Sequence, residues 1–122
     1  MNELTKKIVN GDVDNKKIWV CLIYYFDYFK KLTRHVKPQE ATVFKGSYGY
    51  AKSYFVGKKG IIKLFSNVSF DNTPVQCFHT QEECVQAYKR QCQVAISGLE
   101  EVKIIQAKRI ADEISKLENR MK

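Results

Sequence analysis

The fold divides at Val75–Arg90, VQCFHTQEECVQAYKR, where a strand-like segment gives way to a helix. Thr80 and Glu83 match the capping box S/T-x-x-E, in which the hydroxyl and the carboxylate each satisfy a backbone N–H at the helix start. No proline follows between Thr80 and Lys122, and apolar residues recur there at spacings of three and four. The sequence therefore predicts a helical part over residues 80–122.

Gly98 leaves the continuity of this helix open. Glycine costs about 1 kcal/mol relative to alanine inside a helix, so position 98 is either a tolerated interior residue or a break between two consecutive helices. An unbroken helix over this segment would be about 60 Å long, which exceeds the span of a few short strands. We expect its apolar stripe to cover the sheet and to meet a second copy of the chain; packing on the chain's own sheet alone is the other open interpretation.

Residues 16–79 predict an antiparallel meander of about six short strands, because aromatic and β-branched runs alternate there with Gly, Asn and Pro. The clearest hairpin is Ser53–Phe65, where Gly57 and Gly60 suit the positive φ angles of a tight turn. The fold class is thus α+β in a single domain, 1–122, with a β-rich part (1–79) followed by the helical part. The predicted strands are Lys17–Phe26, Tyr28–Val36, Thr42–Phe44, Tyr48–Val56, Ile61–Phe65 and Val75–Phe78.

Length and composition exclude several classes of protein. A chain of 122 residues with 44% hydrophobic and 28% charged positions suits one hydrophobic core, which excludes a large multidomain enzyme. The longest apolar run, Ile18–Phe26, is far shorter than the roughly 20 residues that cross a bilayer. The N-terminal MNELTKKIVNGD has no apolar signal-like stretch behind its lysines, so we expect a cytoplasmic location.

The cysteines do not have the spacing of a metal site. Zinc sites usually contain two cysteines separated by two to four residues, and no such pair occurs among Cys21, Cys77, Cys84 and Cys92. We therefore expect no metal, and reduced thiols of which Cys84 and Cys92 pack as small hydrophobic side chains.

The sequence also offers little for catalysis. Neither histidine, His35 nor His79, has a nucleophile or acid at a recognisable motif spacing. The adjacent acidic pairs of the helix point about 100° apart rather than towards each other. We expect no enzyme activity and no cofactor.

Positive charge is concentrated in one segment. Lys30–Lys63 contains nine Lys and Arg against the single acid Glu40, a balance equal to the net charge of +8 of the whole chain. Aromatic residues are interleaved with these cations, which suits a surface for nucleotides or nucleic acid. The other open interpretation is that the lysines only keep edge strands from pairing with other chains.

The layout resembles the Thoeris anti-defence protein 1 family of phages. The resemblance lies in the β meander, a strand ending in CFHT, the capped helix start TQEECVQAYKRQ and a terminal helix containing QAKRIADEISKLENRMK, and it covers nearly the whole chain. Members of that family are small proteins that bind cyclic ADP-ribose signals made by bacterial TIR-domain defence enzymes, and they hold the molecule intact in pockets at a subunit interface. The resemblance implies immune evasion by a homo-oligomeric nucleotide sponge.

That implied function requires a ring to stack on adenine and cations for the pyrophosphate. Arg109 is the first candidate for a phosphate contact, with an ion pair to Glu113 at i, i+4 as its structural alternative. Phe78 or Tyr88 is the candidate for stacking, and Arg90 and His79 are candidates for further contacts. Two rival functions stay open, namely a basic nucleic-acid-binding protein and a protein-binding inhibitor of a host enzyme.

Overall fold

The computed structural model describes residues 1–26, 31–65 and 73–121, and it confirms the α+β class. An antiparallel five-stranded sheet lies between a short N-terminal helix on one face and a long C-terminal helix on the other. The elements are α1 (Glu3–Val9), β1 (Lys16–Phe26), β2 (Lys31–Tyr48), β3 (Ala51–Gly57), β4 (Gly60–Lys63), β5 (Gln76–Phe78) and α2 (Gln81–Arg120).

The strands lie in the order β4-β3-β2-β1-β5, so the first four form the predicted meander and β5 returns to the far edge beside β1. β1 begins one residue before its predicted start. The predicted strands Tyr28–Val36 and Thr42–Phe44 belong, over their described residues, to the single strand β2; positions 28–30 lie outside the described residues.

The sequence predicted two strands here because Pro38 lies between them, and proline usually ends a strand. The ladder steps from Val20–Gln39 to Leu22–Val36, so β2 contributes one residue more than β1 and forms a bulge around Pro38. A bulge is one of the few places in a sheet where a residue without a backbone N–H is tolerated.

The turns correct two further predictions. The prediction that one strand spans Tyr48–Val56 was wrong, because the chain reverses at Gly49, whose φ is +63°, before β3 begins. In the β3–β4 hairpin only Gly60 has a positive φ, of +120°. Gly57 is instead sterically restricted, since a Cβ there would lie 3.1 Å from the side-chain oxygen of Gln39.

Helix α1, which the sequence did not predict, closes the core. Asn2 caps it by accepting a hydrogen bond from the Thr5 amide at 2.8 Å. Ile8 packs with Val20, Val43 and other fully buried side chains between α1 and the sheet. With only seven residues, α1 is too short for a clear helical period in the sequence.

Helix α2 is continuous through Gly98, which settles the open alternative in favour of one helix. Thr80 is its N-cap, as predicted: the Thr80 hydroxyl accepts from the Glu83 amide at 3.2 Å and donates to the Glu83 carboxylate at 2.9 Å. The first half packs on β1, β2 and β5, whereas every residue from Lys103 to Met121 is exposed. Among the described helices, none is long and apolar enough to cross a membrane.

Candidate functional site: a groove between the long helix and the sheet edge

A groove of about 490 Å³ runs between α2 and the edge of the sheet formed by β5 and β1. Among the described residues, its walls combine one aromatic ring, one guanidinium group, three amide side chains and aliphatic surface. The lining residues that matter for its chemistry are Asn2, Ile23, Gln76, Phe78, Arg90 and Gln91.

The groove exists because β5 is much shorter than β1. β5 pairs only with Trp19, Val20 and Cys21, so within residues 1–26, 31–65 and 73–121 no strand pairs with this edge of β1 from Leu22 onwards. The amide of Ile23 lies in this stretch, and it donates to the Gln91 side-chain oxygen at 2.7 Å. Gln91 thus satisfies a backbone group that no described strand pairs with, and it links α2 to β1.

Strand alternation places the two β5 contributors in the groove. Gln76 and Phe78 lie on one face of β5, and Cys77 between them is fully buried against α1. Two residues of the N-terminal segment bind the backbone of Cys77. The Cys77 amide donates to the Thr5 hydroxyl at 3.0 Å, and the Asn2 side chain donates to the Cys77 carbonyl at 2.8 Å. The N-terminal segment therefore both supports and lines the groove.

Arg90 supplies the positive charge of the groove. It is exposed, and within residues 1–26, 31–65 and 73–121 no carboxylate forms an ion pair with it. A guanidinium group offers a planar fork of donors that matches phosphate oxygens, and Phe78 adds an aromatic face on the opposite wall. The arrangement can hold a ligand with one flat ring and one phosphate-type anion.

Of the five candidate ligand-binding residues, the structure brings Phe78 and Arg90 together in the groove. His79 is exposed between β5 and the Thr80 cap and does not line the groove. Tyr88 lies elsewhere on α2, where its hydroxyl is 2.5 Å from His35 Nε2 on β2 and the two rings stack at 5.7 Å.

Arg109 is distant from the groove. It follows Arg90 by nineteen residues in one helix, a separation of about 28 Å. The alternative pairing with Glu113 is not what the structure has, since Glu113 pairs with Lys116 at 3.3 Å. Arg109 is thus an exposed cation on the projecting half of α2.

Comparison with protein-family models, with curated proteins and with solved structures finds no match.

Sequence reasoning missed the amide side chains Asn2, Gln76 and Gln91. Asn2 and Gln91 act on backbone groups of other elements, so their roles depend on tertiary pairing that no local pattern encodes. For Asn2 the sequence did contain a signal. Asparagine is a favoured N-cap residue, and the acidic Glu3 that follows it is typical of the first turn of a helix.

The four cysteines are free thiols, and three of them, Cys21, Cys77 and Cys84, are buried. Cys21 donates to the Cys84 carbonyl at 3.6 Å, and its hydrogen bonding with Cys84 raises the pKa of the Cys21 thiol. Burial raises the pKa of Cys77 to about 12. Thiols held protonated in this way are poor nucleophiles.

Proposed function

We propose that the protein binds a cyclic ADP-ribose-type signalling nucleotide and sequesters it without degrading it. Acting in the cytoplasm of a bacterial host, such a phage or prophage protein would keep the signal of a TIR-domain defence enzyme from reaching its receptor. The observation that carries the proposal is the groove in which Phe78 and Arg90 lie within one ligand's reach.

The chemistry of the groove suits this ligand class. Small-molecule sites usually enclose about 300–1,000 Å³, so a groove of about 490 Å³ is adequate for a nucleotide. Phe78 would stack on adenine, Arg90 would bind the pyrophosphate, and the amides of Gln76 and Asn2 would bond the ribose hydroxyls. The net charge of +8 favours the approach of an anion.

Sequestration requires a higher binding affinity than an open groove provides. A nanomolar dissociation constant corresponds to about 12 kcal/mol, which calls for a ligand enclosed on most sides. A second copy of the chain would close the groove and would bring an Arg109 that the groove's own chain cannot supply. The exposed stripe Ile110, Ile114 and Leu117 on the projecting half of α2 supports such a homo-oligomer.

A retention experiment tests the proposal. The purified protein is mixed with cyclic ADP-ribose isomers, removed by filtration, and heated to release what it holds. We expect one isomer to disappear from the filtrate and to return intact in a fixed ratio to the subunit. Recovery of a changed molecule would show an enzyme instead, and free passage of every isomer would refute nucleotide binding.

Matched variants locate the binding site. Arg90→Ala and Phe78→Ala should leave the nucleotide in the filtrate, and Arg109→Ala should do so if a second copy completes the pocket. Lys89→Ala removes one positive charge from the adjacent exposed position, which does not line the groove, and should retain binding. If Lys89→Ala and Arg90→Ala lost nucleotide retention equally, the loss would reflect the overall charge of the protein and not a contact in the groove.

A further inference from the structure

The sheet has a partly exposed region on the face where α2 packs, beyond the strands that the helix contacts most. Ser53 donates to the Ile8 carbonyl of α1 at 2.7 Å, so Ser53 and Phe55 face α1 and the alternate residues Tyr54 and Val56 face the other way. On that other face α2 packs on β5 and on parts of β1 and β2. We call the uncovered remainder the aromatic face; it comprises Trp19, Phe44, Tyr48, Tyr54, Val56 and Ile61.

Three rings of the aromatic face lie against one another. Phe44 and Tyr54 are cross-strand partners whose ring centroids are 5.7 Å apart with an angle of 30° between the planes. Tyr48 follows at 5.9 Å from Tyr54. All three rings are accessible to solvent in part, since Tyr48 is 37% exposed and Phe44 and Tyr54 are half-buried. A folded protein that leaves such surface uncovered usually has a partner for it.

The pairing of the strands places lysines on the same face as these rings. Lys63 is the cross-strand partner of Tyr54, and Lys17 is the partner of Thr42, so both lie on the aromatic face. The β3–β4 turn adds Lys58 and Lys59. Among the described residues of this face the only acid is Glu40, at its margin, so the charge is strongly positive.

One end of the aromatic face is concave. A second groove of about 500 Å³ lies between the half-buried indole of Trp19 and the lysines of the β3–β4 turn. Pro38, Gln39 and Glu40 of β2 also line it. A flat ring next to two ammonium groups repeats, at a separate place, the combination needed for a base and its phosphate.

We propose that the aromatic face binds single-stranded nucleic acid, with bases stacked on Phe44, Tyr54 and Trp19 and backbone phosphates at Lys17, Lys63 and the turn lysines. Residues two apart in a strand are about 6.8 Å apart and neighbouring strands about 4.8 Å, so the face spans about 14 Å in each direction. Sheets of that size stack two or three bases on their aromatic side chains. Base pairs in a duplex already stack on each other, so a duplex presents no face for these rings.

Fluorescence anisotropy with labelled oligonucleotides tests the proposal. The probes are fluorescein-labelled dT12, U12 and a dT12·dA12 duplex, each titrated at 50 and 200 mM salt. We expect either single strand to bind at least tenfold more tightly than the duplex; the tighter of dT12 and U12 identifies DNA or RNA as the target. Three phosphate contacts would weaken single-strand binding about twentyfold between those two salt concentrations.

Variants separate stacking from charge. Phe44→Leu combined with Tyr54→Leu keeps apolar bulk but removes both rings, and should weaken dT12 or U12 binding at least tenfold. Lys63→Ala changes only an exposed residue, and should lower the slope of log affinity against log salt by about 0.7. Lys108→Ala removes the same charge from the projecting half of α2 and should change neither quantity.

Three outcomes overturn the proposal: no binding of either single strand by the unaltered protein at 50 mM salt, equal affinity for the duplex, or unchanged affinity in the double leucine variant with a native circular dichroism spectrum. The aromatic face adjoins the groove beside α2 where Trp19 pairs with Phe78, but Phe44, Tyr54 and Lys63 lie two to four strands away from β5. Arg90→Ala should therefore leave oligonucleotide binding intact, and the leucine variants should leave cyclic ADP-ribose retention intact.

Discussion

The replacement Thr5→Val tests how the N-terminal helix holds the sheet edge that lines the groove. Thr5 is fully buried, and its hydroxyl accepts the hydrogen bond of the Cys77 amide at 3.0 Å. Among the described strands β5 lies at the edge of the sheet, so the outward amide of Cys77 bonds to Thr5 rather than to a further strand. Valine has nearly the shape of threonine but cannot accept a hydrogen bond, and the buried N–H would be left without a partner.

The expected cost follows from that single lost bond. A buried donor without an acceptor costs about 1–3 kcal/mol. For a chain of this size each kcal/mol shifts the melting temperature by about 4 °C, so Thr5→Val should melt roughly 4–12 °C lower. The change is measured by thermal unfolding followed by circular dichroism, and independently from the midpoint of urea denaturation at an unchanged slope.

Ser53→Ala is the matched control, because it also removes a buried hydroxyl between α1 and the sheet. The Ser53 hydroxyl donates to the Ile8 carbonyl, but that carbonyl also accepts from the Gly11 amide at 3.0 Å. Loss of the Ser53 hydroxyl therefore leaves no backbone group unsatisfied, and the melting temperature should fall less than in Thr5→Val. A fall as large in Ser53→Ala, or no fall in Thr5→Val, would refute the reasoning.

Three further predictions concern the helix, the thiols and the oligomer. Thr80→Ala should lower the free energy of unfolding by about 1 kcal/mol in urea denaturation, since it removes the helix cap; a change below a few tenths would contradict the capping role. In alkylation at pH 8 followed by mass spectrometry, Cys92 should react before Cys77, because burial raises the pKa of Cys77 to about 12, and equal rates would argue against this. For the same reason stability should fall as pH rises above about 9, where the unfolded chain loses the Cys77 proton and the folded chain keeps it. Ile114→Glu with Leu117→Glu should shift the mass measured by light scattering towards the monomer without lowering the melting temperature of the sheet; an unchanged mass would contradict self-association through α2.

Local chemistry made part of the fold predictable. The hydroxyl of Thr80 and the carboxylate of Glu83 define a helix start from neighbouring residues alone, and α2 begins there. The β3–β4 hairpin likewise follows from a short loop that ends at Gly60. Both features depend on contacts within a few residues, which is the range that a sequence pattern encodes.

Features that depend on pairing between distant segments were not predictable. Pro38 divides a strand by local rules, yet β1 accommodates it through a bulge. The groove lies where, among the described residues, β1 extends beyond its pairing with β5, and Gln91 has its role because the Ile23 amide pairs with none of the described strands. Phe78 and Arg90 could be named as candidates because ring and guanidinium chemistry is visible in sequence, and both line the groove. The positions of Tyr88 and Arg109 depend on the course of α2.

The most direct test of nucleotide sequestration is a calorimetric titration of the unaltered protein with each cyclic ADP-ribose isomer, repeated with Arg90→Ala and with Lys89→Ala. We expect saturable binding of one isomer with a nanomolar dissociation constant and a fixed ratio to the subunit. This binding should be lost in Arg90→Ala and retained in Lys89→Ala. Absence of heat with every isomer, or undiminished affinity in Arg90→Ala, would contradict a nucleotide site in the groove.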